Sequence, residues 1–124
     1  MDLQLAPDIQ KRLARISSGV GFDHLDLKRI ICFRSFGSKS KAQARIWSFP
    51  KIWQMALKVH SHYSIEVISE KFDKLDKESQ DKILIHELLH IPKNFSGALL
   101  HHRNRSYQIN SRMINRLYSL IGKK

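Results

Sequence analysis

The sequence predicts an α+β fold in which a small, mostly antiparallel sheet of about three strands is covered by helices. Two observations predict it: three short runs rich in β-branched and aromatic residues, and longer segments whose apolar residues recur at helical spacing. A length of 124 residues is typical of one domain, and the chain has no repeat, low-complexity tract or long linker. We therefore expect residues 1–124 to form a single domain.

The first half of the chain predicts a helix, two strands and a shorter helix. Pro7 suits the first turn of a helix, which the glycines of "SSGVG" should stop. "RIICFR" predicts a buried strand, and "ARIWSF" predicts a second strand that Pro50 ends, with the basic loop "SFGSKSKAQ" between them. Residues 51–59 can form a short helix. Its apolar face would consist of Ile52, Met55, Ala56 and Val59.

The second half predicts one more strand and two longer helices. "HYSIEVIS" alternates in the manner of a half-buried strand. Asp76 can cap an amphipathic helix over residues 77–91, which Pro92 terminates because proline disfavours helical geometry just before itself. A last helix is predicted over 105–121 and ended by Gly122. Its apolar line would be Ile109, Met113, Leu117, Leu120 and Ile121.

The net charge of +11 is distributed unevenly along the chain. Residues 63–92 carry a net charge of −3, whereas residues 31–62 carry +6 and residues 93–124 carry +7. A cationic surface attracts polyanions at long range, and nucleic acid is the first candidate. The charge pattern therefore makes nucleic acid or nucleoprotein a possible partner.

The single cysteine and the hydropathy pattern indicate where the protein resides. Cys32 lies in an apolar run, which predicts a buried thiol, and one cysteine cannot form an intrachain disulfide. Any bound metal would need imidazole or carboxylate ligands. No apolar run approaches the ~18 residues that a bilayer requires, and the first residues do not resemble an export signal. We expect a cytoplasmic protein with no membrane partner.

The segment "KILIHELLHIPKNFSGALLHHR" carries the clearest chemical pattern. On a helix, His86 and His90 stand one turn apart on the same face, so both imidazoles can reach one ion. Glu87 is turned about 100° away, off the metal but within reach of a water bound to it. A zinc ion lowers the pKa of such a water to about 7, and the carboxylate can accept its proton during attack on a carbonyl.

Two protein ligands are too few for a catalytic zinc site, so a third must come from elsewhere in the chain. Gly97 permits a turn with positive φ, and the chain can then fold back to deliver His101 or His102. Local physics alone leaves the choice between these two histidines open; we favour His102, with His101 lining the cleft or stabilising an oxyanion. Three carboxylates are conceivable but less favoured ligands: Glu66, Glu70 and Asp81.

The segments "ARIWSFPKIWQMAL" and "VISEKFDKLDKESQDKILIHELLHIPKNFSGALLHHR" resemble a family of small metallopeptidases from archaea and phages, related to minimal gluzincins and SprT-like proteins. The resemblance is specific over about residues 45–102. It implies a zincin-like fold, with two zinc ligands on a helix and a third downstream. The family's third histidine lies about eleven residues beyond the second, often after a proline. His102 occupies that position here, and His101 stands where the proline is common.

Three functions remain open from the sequence. The first is a zinc peptidase acting on a peptide or protein, with Tyr107, Tyr63 and His101 as candidate oxyanion stabilisers. The second is a nucleic-acid-binding protein with a structural zinc site; the two can combine in a peptidase that acts on nucleoprotein. The third is an accessory domain that binds partners and holds no metal.

Candidate nucleic-acid contacts are Lys39, Lys41 and Arg45 beside Trp47, and a helical stripe of Arg105, Arg112, Arg116 and Lys123. The oligomeric state stays undetermined.

Overall fold

The computed structural model describes residues 1–121 and shows an α+β fold with a mixed sheet of four strands. The predicted fold class is confirmed. In spatial order the strands are β1, β2, β4 and β3; the β2–β4 pairing is parallel and the other two are antiparallel. The strands span Asp2–Leu5 (β1), Ile30–Phe36 (β2), Ala44–Ser48 (β3) and Tyr63–Ile68 (β4).

Strand β1 is one of three elements that the sequence analysis missed; the others are the short helices Leu27–Arg29 and Ser69–Phe72. Its residues Asp2–Leu5 alternate between polar and apolar, but the run is only four residues long and its four side chains are all exposed, so the signal for a strand is weak. It forms an antiparallel edge strand through backbone hydrogen bonds to β2. The three strands predicted from the sequence are all present.

Residues 1–121 also form five α-helices and a short 3₁₀ helix (Leu27–Arg29). The α-helices span Pro7–Val20 (α1), Lys51–Leu57 (α2), Ser69–Phe72 (α3), Lys77–Leu89 (α4) and Ser111–Ile121 (α5). Helices α1, α4 and α5 pack together, and α1 and α4 also contact the sheet. The core lies between these helices and one face of the sheet.

Helix α4 begins as predicted and is more deeply buried than predicted. The Asp76 carboxylate accepts a hydrogen bond from the Ser79 backbone N–H at 3.0 Å and caps the helix. The predicted amphipathic pattern does not describe its second half, where Leu84, Ile85, Glu87 and Leu88 are all buried. The helix is enclosed because it lies between the sheet, α1 and α5.

The last helix is shorter than predicted. It begins at Ser111, where the Asn110 side chain accepts a hydrogen bond from the Met113 N–H, rather than at Arg105. Residues 101–110 instead form an irregular segment in which Arg103 and Gln108 pair as an isolated antiparallel bridge. Along α5 the buried residues are Ile114 and Leu117, while Leu120 is exposed. Gly122 and Lys123, to which the sequence assigned a helix stop and a basic contact, lie outside the described residues.

Helix α2 is present, but its predicted apolar face does not reach the core. Its residues are exposed except Gln54, which is half-buried. Ile52 and Met55 expose 75% and 71% of their surface, and Trp53 and Leu57 more than half. The face predicted from spacing is therefore a surface feature of the molecule.

A buried ion-pair cluster joins α1 to α4. The Asp81 carboxylate is 2% exposed and accepts hydrogen bonds from Arg12 at 2.6 Å and Arg15 at 2.9 Å. Arg12 also donates to the Gln80 side chain at 2.7 Å. The two arginines thereby hold the first helix against the helix that carries the histidines.

We expect Asp81→Asn to lower the free energy of unfolding by about 2–3 kcal/mol, because two arginines then lose their buried counter-ion. Glu78→Gln is the matched control on the same helix: it removes an exposed pair with Lys82 and should cost less than about 1 kcal/mol. Urea denaturation of both variants measures the difference. Equal effects would show that the Asp81 cluster does not fasten α1 to α4.

Candidate metal centre

Three histidine side chains converge at the end of α4. His86 lies in the last turn, His90 is the residue that follows the helix, and His102 comes from the irregular segment beyond it. One ring nitrogen from each lies within 4.8 Å of the others, and Nε2 of His86 is 3.0 Å from Nε2 of His102. Two nitrogens bound to one tetrahedral zinc ion at about 2.0–2.1 Å are about 3.3 Å apart, so this spacing suits two ligands of one ion.

His90 is held by two hydrogen bonds to the same residue. Its Nδ1 lies 2.5 Å from the Leu100 carbonyl oxygen, and its own carbonyl accepts the Leu100 N–H at 2.7 Å. A carbonyl can only accept, so Nδ1 carries the proton and the lone pair of Nε2 is free to bind a cation. This contact fixes the ring tautomer and also fixes the returning chain two residues before His102.

Between His90 and His102 the chain passes through a turn that is hydrogen-bonded to residues of the core. Phe95 and Gly97 have positive φ angles of 51° and 96°, which confirms the predicted turn at Gly97. The buried Tyr63 hydroxyl accepts the Gly97 N–H at 2.8 Å and donates to the Ala98 carbonyl at 2.9 Å. Ser61 donates to the Phe95 carbonyl at 2.5 Å. Strand β4 and the residues before it therefore set where the third histidine arrives.

Residues downstream of His102 hold it from the other side. The Ile109 N–H donates to the His102 carbonyl at 2.6 Å. The Asn104 side chain donates to the His101 carbonyl and accepts the N–H groups of Ser106 and Tyr107. These contacts form a closed turn between the histidine pair and α5, so His102 is positioned by backbone on both sides.

Glu87 lies next to the histidines with its side chain largely shielded from water. The residue is 8% exposed, and it lines the same cavity of about 310 Å³ as the three histidines. The remaining lining residues are Gln43 and Ala44 at the start of β3, and Ile83 on α4. A carboxyl group therefore lies at one wall of a small cavity that the imidazoles share.

Burial and mutual repulsion shift the ionisation of these groups. Burial, together with the nearby His90 and His102, lowers the pKa of His86 to about 4. Burial also lowers the pKa of His90, although the hydrogen bond to the Leu100 carbonyl opposes this shift. Both rings are thus neutral at pH 7, the state that binds metals. Burial alone raises the pKa of Glu87 to about 7. A carboxyl group with such a pKa can exchange a proton near neutral pH.

The donor set fits a zinc ion. Three imidazoles from separate turns leave a fourth position towards the cavity, as catalytic zinc sites require, and imidazole is a ligand that zinc shares with other transition metals. The arrangement can therefore hold a divalent cation and leave room beside it for water or substrate.

Comparison with known protein families matches residues 1–115 to the family described as "Putative phage metallopeptidase". The chain belongs to this family. No curated protein and no solved structure was found to match the chain. Within residues 1–121, no helix is long and apolar enough to cross a membrane. Membership of a metallopeptidase family agrees with a possible metal site made of three histidines, and it does not by itself identify the ion.

The other residues that the sequence predicted for the metal site lie apart from the three histidines or have other hydrogen-bond partners. His101 is exposed and outside the three-histidine group, although its charge contributes to the lowered pKa of His90. The Tyr63 hydroxyl is committed to the turn, and the Tyr107 hydroxyl donates to the Leu89 carbonyl at 2.6 Å. Both tyrosine hydroxyls thus support the backbone around the site, and their oxyanion role stays a prediction.

The carboxylates considered as alternative ligands are engaged elsewhere. Asp81 pairs with the arginines of α1, Glu66 pairs with Arg45, and Glu70 accepts the Gly37 N–H at 3.0 Å. None of the three belongs to the possible metal-binding group of the described residues.

The predicted nucleic-acid surface is less continuous than the sequence suggested. The Arg45 guanidinium pairs with Glu66 at 2.9 Å and stacks on Trp47, so it is not free for phosphate. Arg105 lies before α5, which breaks the predicted stripe. Four exposed residues remain in place: Lys39, Lys41, Arg112 and Arg116. Nucleic-acid binding stays a prediction.

Sequence reasoning missed the residues that support the site. Tyr63 was considered for an oxyanion role and not for its hydrogen bonds to the turn, and Leu100 and Asn104 were not singled out, because all three act through contacts with backbone groups. An asparagine shortly after the histidine pair is a turn signal that could have identified the closed turn.

Replacing Glu87 by glutamine should stabilise the metal-free protein at high pH. The folded-state pKa of about 7 lies above the ordinary value of 4.5, so an ionised Glu87 costs up to about 3 kcal/mol above pH 7. We expect Glu87→Gln to gain up to that amount at about pH 8, and the gain to disappear as pH falls below about 4.5. His86 is present in both proteins, so its contribution to the pH dependence of the free energy of unfolding cancels in the difference. Urea unfolding in the presence of a chelator measures both curves; parallel curves would refute the buried carboxylate.

Proposed function

We propose that this protein is a zinc-dependent peptidase in which His86, His90 and His102 hold Zn²⁺ and Glu87 acts as general base. The observation that carries the proposal is the convergence of three imidazole nitrogens within 4.8 Å beside a buried carboxyl group in one cavity. Family membership supports the reaction class, and the donor set supports zinc.

Each residue has a role that its position supports. A bound zinc ion supplies Lewis acidity, which activates water and polarises a peptide carbonyl. Glu87 accepts the proton of the attacking water and later delivers it to the leaving amine. Its burial favours this exchange, because a pKa near the working pH suits a group that must both take and give a proton. The Leu100 carbonyl keeps His90 in the tautomer that presents Nε2.

The sheet offers a place for the substrate. Strand β3 is the last strand of the order β1-β2-β4-β3, and within residues 1–121 no other strand pairs with its outer side. Gln43 and Ala44, at its start, line the cavity that holds the histidines. An extended peptide can add to this edge through main-chain hydrogen bonds and place a carbonyl at the cavity. This placement supports a protein or peptide substrate, which membership of a metallopeptidase family also implies.

Loss of His102 should remove the metal, whereas loss of its neighbour should not. We expect protein purified without added metal to contain about one zinc per chain, His102→Ala to retain less than about a tenth of it, and His101→Ala to retain nearly all. Elemental analysis by mass spectrometry measures all three. The two histidines are adjacent and both exposed, so His101→Ala is a close control.

The opposite ranking of these two variants would make His101 the ligand. Absence of bound metal from wild-type protein, also after incubation with zinc, would remove the proposed function and favour an accessory domain that acts through partners alone.

Loss of the Glu87 carboxylate should abolish hydrolysis and spare the metal. We expect Glu87→Gln to slow cleavage of an unstructured protein substrate such as casein by about 10²–10⁴-fold, with zinc content unchanged. The control Glu78→Gln lies on the exposed side of the same helix and should retain full activity. Hydrolysis that survives in Glu87→Gln would show that another group is the base.

A further inference from the structure

One face of the sheet is left uncovered by the helices. Leu3 and Leu5 of β1, Ile31 of β2 and Trp47 of β3 all point to this face, as their cross-strand register shows. Leu5 exposes 68% of its surface and Trp47 exposes 52%. The core lies on the other face, so these side chains are not explained by folding.

Three apolar hollows adjoin this face. The largest lies at its end, where α1 and the 3₁₀ helix meet Leu5 and Ile31, and the other two lie over the face itself. The three volumes are about 670, 490 and 380 Å³. The first and second share Ile31, and the second and third share Trp47 and Ser64. We call their combined surface the outer groove; its apolar lining includes Leu3, Leu5, Ile31, Trp47, Leu57 and Val59.

Helix α2 forms one wall of the outer groove. Leu57, its last residue, and Val59, just beyond it, line the second hollow. The helix contributes little to the core, yet it exposes large apolar side chains along its length. Contiguous exposed apolar surface of this kind marks an interaction site in a folded protein, because in isolation it costs solubility.

The charges around the outer groove are positive. Lys11 and Lys28 line the largest hollow. Glu66 is the sole acidic residue among those that line the three hollows, and it is neutralised by Arg45 and by the Trp47 indole N–H, each at 2.9 Å. A ligand with apolar and acidic groups complements this surface.

A second copy of the chain complements the groove poorly. The chain has twice as many basic as acidic residues. Six of its eleven acidic side chains already pair with its own arginines or lysines. Two copies would therefore bring together surfaces of like charge, which opposes association. A flat anionic lipid surface also cannot fill concave hollows.

We propose that the outer groove docks an acidic, amphipathic helical segment of a partner protein. Apolar residues on one face of such a helix enter hollows of this kind, and acidic residues beside that face meet Lys11 and Lys28. None of the residues that line the outer groove lines the histidine cavity, so docking leaves the metal centre open. The inference is independent of the proposed peptidase activity.

The test uses three fluorescein-labelled peptides of about 18 residues, long enough for five helical turns. The first has leucine and phenylalanine at helical spacing on one face and glutamate on the other. In the second, lysine replaces glutamate; the third has the composition of the first with the apolar positions scattered. Fluorescence anisotropy with the full chain should show the first peptide binding at least tenfold more tightly than the other two.

Substitutions in the groove then locate the binding. Ile31→Thr and Leu57→Thr should each weaken binding of the acidic peptide at least fivefold, while Leu120→Thr should not. Leu120 is a matched control because it is exposed to a similar extent as Ile31, 40% against 37%, on helix α5. Lys28→Glu should weaken binding of the acidic peptide and strengthen binding of the lysine peptide. Circular dichroism confirms that each variant is folded.

Several results would overturn the proposal. They are absence of peptide binding, equal binding of the acidic and lysine peptides, and equal effects of Ile31→Thr and Leu120→Thr. A dimer in sedimentation that Ile31→Thr converts to monomer would assign the groove to a second copy. Co-sedimentation with phosphatidylserine vesicles that Leu57→Thr abolishes, without peptide binding, would assign it to a membrane surface.

Discussion

The candidate site depends on the pair of hydrogen bonds between His90 and Leu100. One bond orients an imidazole, and the other fastens the returning chain to the end of α4. Without them, the irregular segment after Pro92 would have to order the third histidine at a cost of about 1–2 kcal/mol per residue. The Tyr63 hydroxyl adds a second fastening from the core side. The proposed metal binding would thus be linked to the fold through the contacts of His90 with Leu100 and of Tyr63 with the turn.

The buried carboxyl groups of the site and of the rest of the fold differ in whether they have a counter-ion. Asp81 and Glu66 are as buried as Glu87, but arginines neutralise both. Glu87 is different, since burial is the sole cause of its pKa shift and its surroundings offer three imidazoles instead of a cation. A buried acid without a counter-ion destabilises the folded protein, and such strain is typical of a functional site. A bound divalent cation would supply the missing charge.

The fold class, three strands, the α4 cap and the turn at Gly97 could be predicted, because each leaves a local signal in period, capping residue or glycine. The convergence of His86 and His90 follows from helix geometry alone. Strand β1 could not be predicted, since pairing with β2 stabilises it and none of its side chains is buried. The start of α5 was misplaced because residues 105–110 are held in a turn by Asn104 and by the hydrogen bond from Ile109 to His102. Long-range partners, such as Arg12 with Asp81, leave no local signal.

The central claim is that three imidazoles share one zinc ion. X-ray absorption spectroscopy at the zinc edge of the zinc-loaded wild-type protein tests it most directly, since multiple scattering from imidazole rings allows the histidine ligands to be counted. The account predicts four-coordinate zinc with three imidazole nitrogens at about 2.0–2.1 Å and one oxygen ligand. Two or fewer imidazoles, or a six-coordinate shell of oxygen ligands, would contradict it.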